Sequence, residues 1–123
     1  MISGIVNARN ETTFSFAIQD TTGKYHDFET LLDTGFAGTL SLPLPVISVL
    51  GLRWHSQTRF LLANDQSIWF DNYQATIVWN GTPQAVLIQA IDNVPLLGTN
   101  LLVGHELRIR FTNGGPAEIE ALP

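Results

Sequence analysis

Asp33 follows the apolar run Thr30-Leu31-Leu32 and precedes Thr34-Gly35. An apolar run normally continues into a core. A carboxylate at its end either begins an ordinary turn or is delivered to a site where it handles protons. The residues after it are small, with one exception: Gly35, Phe36, Ala37, Gly38. Much later comes a second apolar pair that ends in glycine, Leu96-Leu97-Gly98. Other groupings offer less. His26, His55 and His105 fall at no metal-ligand spacing, and Gly104-His105-Glu106-Leu107 lacks a second histidine one turn on. There is no cysteine, which excludes disulfides, thiolate catalysis and thiolate metal sites. No metal and no cofactor is expected. Asp20, Asp27, Asp71 and Asp92 read as turn or solvated carboxylates, and Trp54, Trp69 and Trp79 as core or interface residues.

Positioning Asp33 requires strands. Ile2–Ala8 and Thr12–Gln19 are rich in β-branched and aromatic residues and flank a polar turn, as a hairpin does. After the turn Asp20–Lys24, Tyr25–Leu32 alternates and then becomes fully apolar on reaching Asp33. Leu40 and Leu42 alternate, and Pro43 and Pro45 open a short helix over Val46–Leu50 that stops at Gly51. Thr58–Ala63 and Ser67–Trp79 form a long hairpin with the polar tip Ala63-Asn64-Asp65-Gln66. Asn80–Pro83 turns the chain into Gln84–Ile91. A strand from Val94 reaches Gly98, and Thr99 is expected to cap a short helix over Asn100–Val103. A last hairpin, Leu107–Phe111 with Ala117–Ala121, closes the chain.

The 123 residues are read as one domain, 1–123, able to bury a core at 45% hydrophobic content. Charged residues make up only 14%, so part of the surface is expected to be buried against a partner. A net charge of −5 repels phosphates and argues against nucleic acid. No apolar run approaches the length of a membrane helix, and Met1–Asn10 does not read as a signal peptide. Asn80-Gly81-Thr82 fits a glycosylation acceptor, but no secretory signal supports it. A soluble, cytoplasmic protein is the expectation, with no membrane partner.

Taken together, Leu31-Leu32-Asp33-Thr34-Gly35, the hairpin, Pro95-Leu96-Leu97-Gly98-Thr99-Asn100 and the terminal strands resemble the retropepsin-like aspartic proteases. The likeness is to the small, single-domain bacterial members, and it covers nearly the whole chain. It implies an all-β, closed barrel of the acid-protease fold with one or two short helices, active as a homodimer. Each protomer brings one Asp33 to a shared dyad, so a single motif suffices for a two-fold site. The resemblance gives Asp33 the catalytic role and makes Thr34, Gly35 and Phe36 the active-site loop. Thr34 would bond across to the partner loop, and Gly35 would let backbone approach the carboxylate. Leu96, Leu97 and Gly98 would support the loop from behind. Ala63, Asn64, Asp65 and Gln66 would be the flap over an extended peptide or protein substrate. Ile2–Val6 and Ala117–Leu122 would build the dimer sheet.

Two departures matter. Phe36 stands where the family often has Ala or Ser, so no hydroxyl donates to the dyad from this position, and activity is expected to extend toward neutral pH. The hairpin tip lacks the glycines common in viral flaps. An alternative is a catalytically silent retropepsin-like dimer acting as a peptide-binding or scaffold module. A third reading is an unrelated small barrel with an apolar ligand, which would be monomeric with Asp33 at a surface turn.

Overall fold

In Thr12–Gln19 every second residue from Phe14 is apolar and large, so extended backbone places Phe14, Phe16 and Ile18 on one face. All three are buried. The computed structural model describes residues 1–123 and repeats this logic in strand after strand. The order is β1 (Ile2–Val6), β2 (Thr12–Gln19), β3 (Tyr25–Leu32), β4 (Leu40–Leu42), α1 (Leu44–Leu50), β5 (Arg53–Leu61), β6 (Ser67–Trp79), β7 (Thr82–Ala90), β8 (Leu96–Leu97), β9 (His105–Ile109) and β10 (Pro116–Ala121). A 3₁₀ turn, Thr99–Leu102, lies between β8 and β9.

The sheet runs β5-β6-β7-β4-β8-β3-β2-β1-β10-β9, and β2 also meets β6 at Ile18 opposite Ile77. That second meeting closes six strands into a barrel, so the expected all-β barrel is the observed architecture. Its interior is filled by Phe14, Ile18, Leu40, Leu42, Ile77, Ile88 and Leu97, all almost fully buried. Each such side chain contributes about 1.5–3 kcal/mol by leaving water. Trp79 stacks on Phe16 with ring centroids 5.6 Å apart. Trp54 and Trp69 lie outside the core and are exposed on the β5–β6 hairpin.

Several boundaries differ from the sequence reading, each for a local reason. β5 begins at Arg53, ahead of the expected Thr58, because pairing with β6 holds Arg53–Gln57 extended although no apolar alternation marks them. The helix begins at Leu44, flanked by Pro43, with Pro45 in its first turn, and it ends at Gly51 with φ 70°. The β6–β7 turn is Asn80-Gly81, both at positive φ (51° and 79°), the twist that a two-residue hairpin requires. Thr99 does not cap a helix: it lies inside the 3₁₀ turn, and its hydroxyl donates instead to the Phe36 carbonyl at 3.3 Å.

The terminal strands pair with each other in one chain, Ile2 opposite Ile119 and Gly4 opposite Ala117, and β10 is flanked on its other side by β9. The free edges of the sheet therefore belong to β5 and β9 rather than to the terminal strands. No helix is long and apolar enough to cross a membrane.

Candidate active site

β3 and β4 are not neighbours. β8 lies between them, parallel to β3 (Leu31 opposite Leu96, Leu32 opposite Leu97) and antiparallel to β4 (Leu40 opposite Leu97). The connection Asp33–Thr39 must therefore pass over the end of β8. The chain leaving β8 binds that connection along its length. Asp33 N donates to Leu97 O at 3.0 Å, Gly98 N to Thr39 O at 2.8 Å, Thr99 N to Phe36 O at 2.9 Å and Asn100 N to Gly38 O at 3.1 Å. These four main-chain bonds join the two glycine-ended motifs into one unit and fix the loop from both flanks.

Asp33 is half-buried at the start of this loop, and Thr34 and Gly35 are exposed. Gly35 N donates to Asp33 Oδ1 at 2.9 Å, and Phe36 N donates to the Asp33 carbonyl at 3.0 Å. A Cβ on Gly35 would lie 3.2 Å from Asp33 Oδ1, so the small residue keeps this approach open. Asp33 Oδ2 has no hydrogen-bond partner within the chain, and neither has the Thr34 hydroxyl. Phe36 turns inward and is only 7% exposed. Its ring fills the space against Gly38 and Gly98. A side chain at Gly98 would run into the Gly38 carbonyl and the Phe36 ring. Phe36 thus anchors the loop from below.

The hairpin tip is built differently. Leu62 N donates to Gln66 O at 2.7 Å, Asp65 N to Leu62 O at 3.0 Å and Gln66 N to Asn64 Oδ1 at 3.1 Å. Asp65 is left-handed at φ 64°. Ala63, Asn64, Asp65 and Gln66 are all exposed, and no hydrogen bond joins them to the Asp33 loop. The structure brings Asp33–Phe36 together with Leu96–Gly98, and no hydrogen bond ties Ala63–Gln66 to either. Beside the tip, Leu61, Ile68 and Trp69 present apolar surface, with Trp69 59% exposed.

Between the Asp33 loop and the base of the hairpin lies a cleft of about 590 Å³. Ala37, Gly38 and Thr39 form one side of it, and Thr58, Phe60 and Asn72 another. Asp33 stands beside this cleft rather than in its lining. Two residues of its lining, Asn72 and Gln89, belong to a feature that sequence reasoning missed. Ser56, Asn72, Gln89 and Ser41 lie opposite one another on β5, β6, β7 and β4. They form a polar row across four strands, and Asn72, Gln89 and Ser41 are buried. Asn72 Nδ2 donates to Ser56 Oγ (3.2 Å) and Thr58 Oγ1 (2.7 Å), and Leu96 N donates to Ser41 Oγ (3.1 Å). The signal was present as Asn72 and Gln89 inside apolar strands, but only register shows that they adjoin.

The remaining ionisable clusters serve structure. Asp20 accepts from Thr22 N (2.8 Å), Thr22 Oγ1 (2.6 Å) and Lys24 N (3.1 Å), and its other oxygen meets His26 Nε2 at 2.7 Å. The Thr22 hydroxyl, and then His26, hold its carboxyl below the usual carboxylate range. Arg108 on β9 contacts Glu106, Glu118 and Glu120 at 2.8–2.9 Å, which raises its guanidinium above its ordinary value, Glu106 contributing most. His55 meets Ser56 Oγ at 2.8 Å, and His105 Nδ1 meets the Val103 carbonyl at 3.0 Å with its ring edge-on to Trp79. No protein-family model, curated protein or solved structure matches the chain.

Proposed function

We propose that the chain is an aspartic endopeptidase of retropepsin-like fold that works as a homodimer, each copy supplying one Asp33. The observation that carries this reading is the state of the Asp33 carboxylate. One oxygen is fixed by Gly35 N–H at 2.9 Å, the other is unengaged, and the loop that bears them is bound by four main-chain bonds. A lone carboxylate cannot act as acid and base in the same step, and a two-fold axis supplies the second copy. Two carboxyls roughly 3 Å apart do not both ionise and hold one proton between them. The ionised Asp33 takes a proton from water as that water attacks the scissile carbonyl carbon. The protonated Asp33 of the second copy gives its proton to the carbonyl oxygen. The Asp33 that took the water's proton passes it to the leaving nitrogen, the other Asp33 takes a proton back from a diol hydroxyl, and the C–N bond breaks to give acid and amine with no covalent enzyme intermediate.

In this reading Thr34, without a partner in its own chain, bonds the loop of the second copy, and Leu96–Gly98 keep both loops in register. Ala63–Gln66 close over an extended peptide, with main-chain pairing along the substrate. Peptide binding without turnover is the second reading, favoured by a hairpin tip that has no glycine and is tied only to itself. The two separate in one experiment. Wild type and Asp33→Asn are incubated with a randomised peptide library, and their masses in solution are measured by light scattering. Cleavage by wild type alone, from a dimer, supports the protease. Equal cleavage by both proteins, or a strict monomer, removes it.

A further inference from the structure

Gln89 is only 6% exposed, and its Oε1 is sealed from solvent with no hydrogen-bond partner, a state buried polar atoms seldom keep. It is the sole buried side-chain polar atom in the chain left so. It belongs to the polar row, in which Asn72 Nδ2 is already committed to Ser56 and Thr58. Gln89 also lines the 590 Å³ cleft next to Gly38, on the loop that carries Asp33. Around it the cleft mixes apolar residues, among them Phe60, Trp79, Val86, Leu87 and Leu101, with the polar Gln84, Asn100 and His105, and no Asp, Glu, Lys or Arg lines it.

We infer that this cleft selects an uncharged substrate side chain that ends in a hydrogen-bond donor, above all the carboxamide of Asn or Gln, with Gln89 Oε1 as its acceptor. The inference rests on the peptide-binding part of the function proposed above. The chemistry excludes the other side-chain classes in turn. A Lys or Arg head would enter a cleft with no carboxylate to pair it, and an Asp or Glu head would find no Lys or Arg, only the His105 imidazole, whose Nδ1 already meets the Val103 carbonyl. An aliphatic side chain fits the walls but leaves Oε1 orphaned. A carboxamide satisfies it, and Thr58 Oγ1, which accepts from Asn72, keeps its own proton to donate to the amide oxygen. Oε1 is sealed as it stands, so binding requires the Gln89 amide to turn about its last bond, a broad torsion, and present the oxygen to the cleft.

The experiment uses the full chain carrying Asp33→Asn, which binds without cutting, immobilised against a randomised decapeptide library whose bound fraction is sequenced. Asn and Gln together should be enriched at one position by roughly 3- to 10-fold over Leu, the range that one net hydrogen bond supports. Gln89→Leu, of similar volume, should erase that enrichment. Gln89→Glu, which keeps shape and acceptor but adds charge, should move it to Lys and Arg. Enrichment that survives Gln89→Leu, or no carboxamide enrichment in the parent, overturns the inference. A parallel digest by the wild-type chain separates the two proposals. Carboxamide binding without any cleavage sinks the protease and leaves the cleft's preference standing. Cleavage with no preference at any position does the reverse.

Discussion

Asp20 and Asp33 both stand just past the end of a strand, and the structure uses them in opposite ways. The Asp20 carboxylate is consumed by its surroundings: two main-chain N–H groups, a hydroxyl and an imidazole take up both oxygens. Asp33 receives a single main-chain donor on one oxygen, while its backbone is secured from β8 and by its own loop. In the first case the side chain holds the turn. In the second the turn is held by other means and the side chain is left available. A carboxylate released from structural duty is what acid–base chemistry requires.

Substitutions sharpen this contrast. The largest effect is expected at Asp33→Asn, which keeps the shape and the Gly35 bond but cannot ionise. Peptide cleavage should fall by roughly 10⁴-fold or more while the melting temperature stays within a few degrees, measured by a fluorogenic peptide assay and a thermal melt. Phe36→Ala should reverse the balance of effects. Removing a buried ring from under the loop should cost about 3 kcal/mol in denaturant unfolding and loosen Asp33 as a secondary result.

Asp20→Asn should lower the melting temperature and leave the cleavage rate per folded molecule unchanged. Its sign with pH is fixed. The folded carboxyl titrates below its unfolded value of about 3.9, so the stability it lends is complete above that pH and is lost as pH falls through the folded value. The gap in melting temperature between wild type and Asp20→Asn should therefore narrow in melts below about pH 3. A gap that widens on acidification would contradict the assignment. The smallest effect belongs to Asp65→Gly at the hairpin tip. Relieving a left-handed residue at φ 64° should change stability by less than about 1 kcal/mol, and any kinetic change should appear in KM rather than kcat. For the proposed dyad, a rate profile over pH 3–8 checks whether the lack of a hydroxyl at position 36 lets activity reach neutral pH. A profile confined below about pH 4 would refute it.

Much of the barrel could be read in the chain because the deciding signals are local. Ser67–Trp79 reads as a strand from its own residues, and Asn80-Gly81 names the turn that ends it. The Asp33 motif was legible because a charge interrupts an apolar run. What escaped depends on partners distant in sequence. Arg53–Gln57 is a strand only because β6 lies beside it. Thr99 looks like a helix cap, yet a carbonyl at Phe36 claims its hydroxyl. That the two terminal strands pair with each other within one chain likewise shows only in their register. Gln89 is one polar residue inside an apolar strand, and only the register sets it against Asn72 and Ser41.

The position of β8 between β3 and β4 has a consequence for the order of assembly. Asp33 is synthesised 64 residues ahead of Leu97, whose carbonyl receives its main-chain N–H. A nascent polypeptide that has emerged only as far as β7 carries Asp-Thr-Gly without the strand that shapes it. Closing so long a loop is slow relative to local hairpins. The geometry of the Asp33 loop is therefore set only once Leu97 has been made, after the β2–β3 and β6–β7 hairpins are available. A chain interrupted before Leu96 would contain the motif and lack the site.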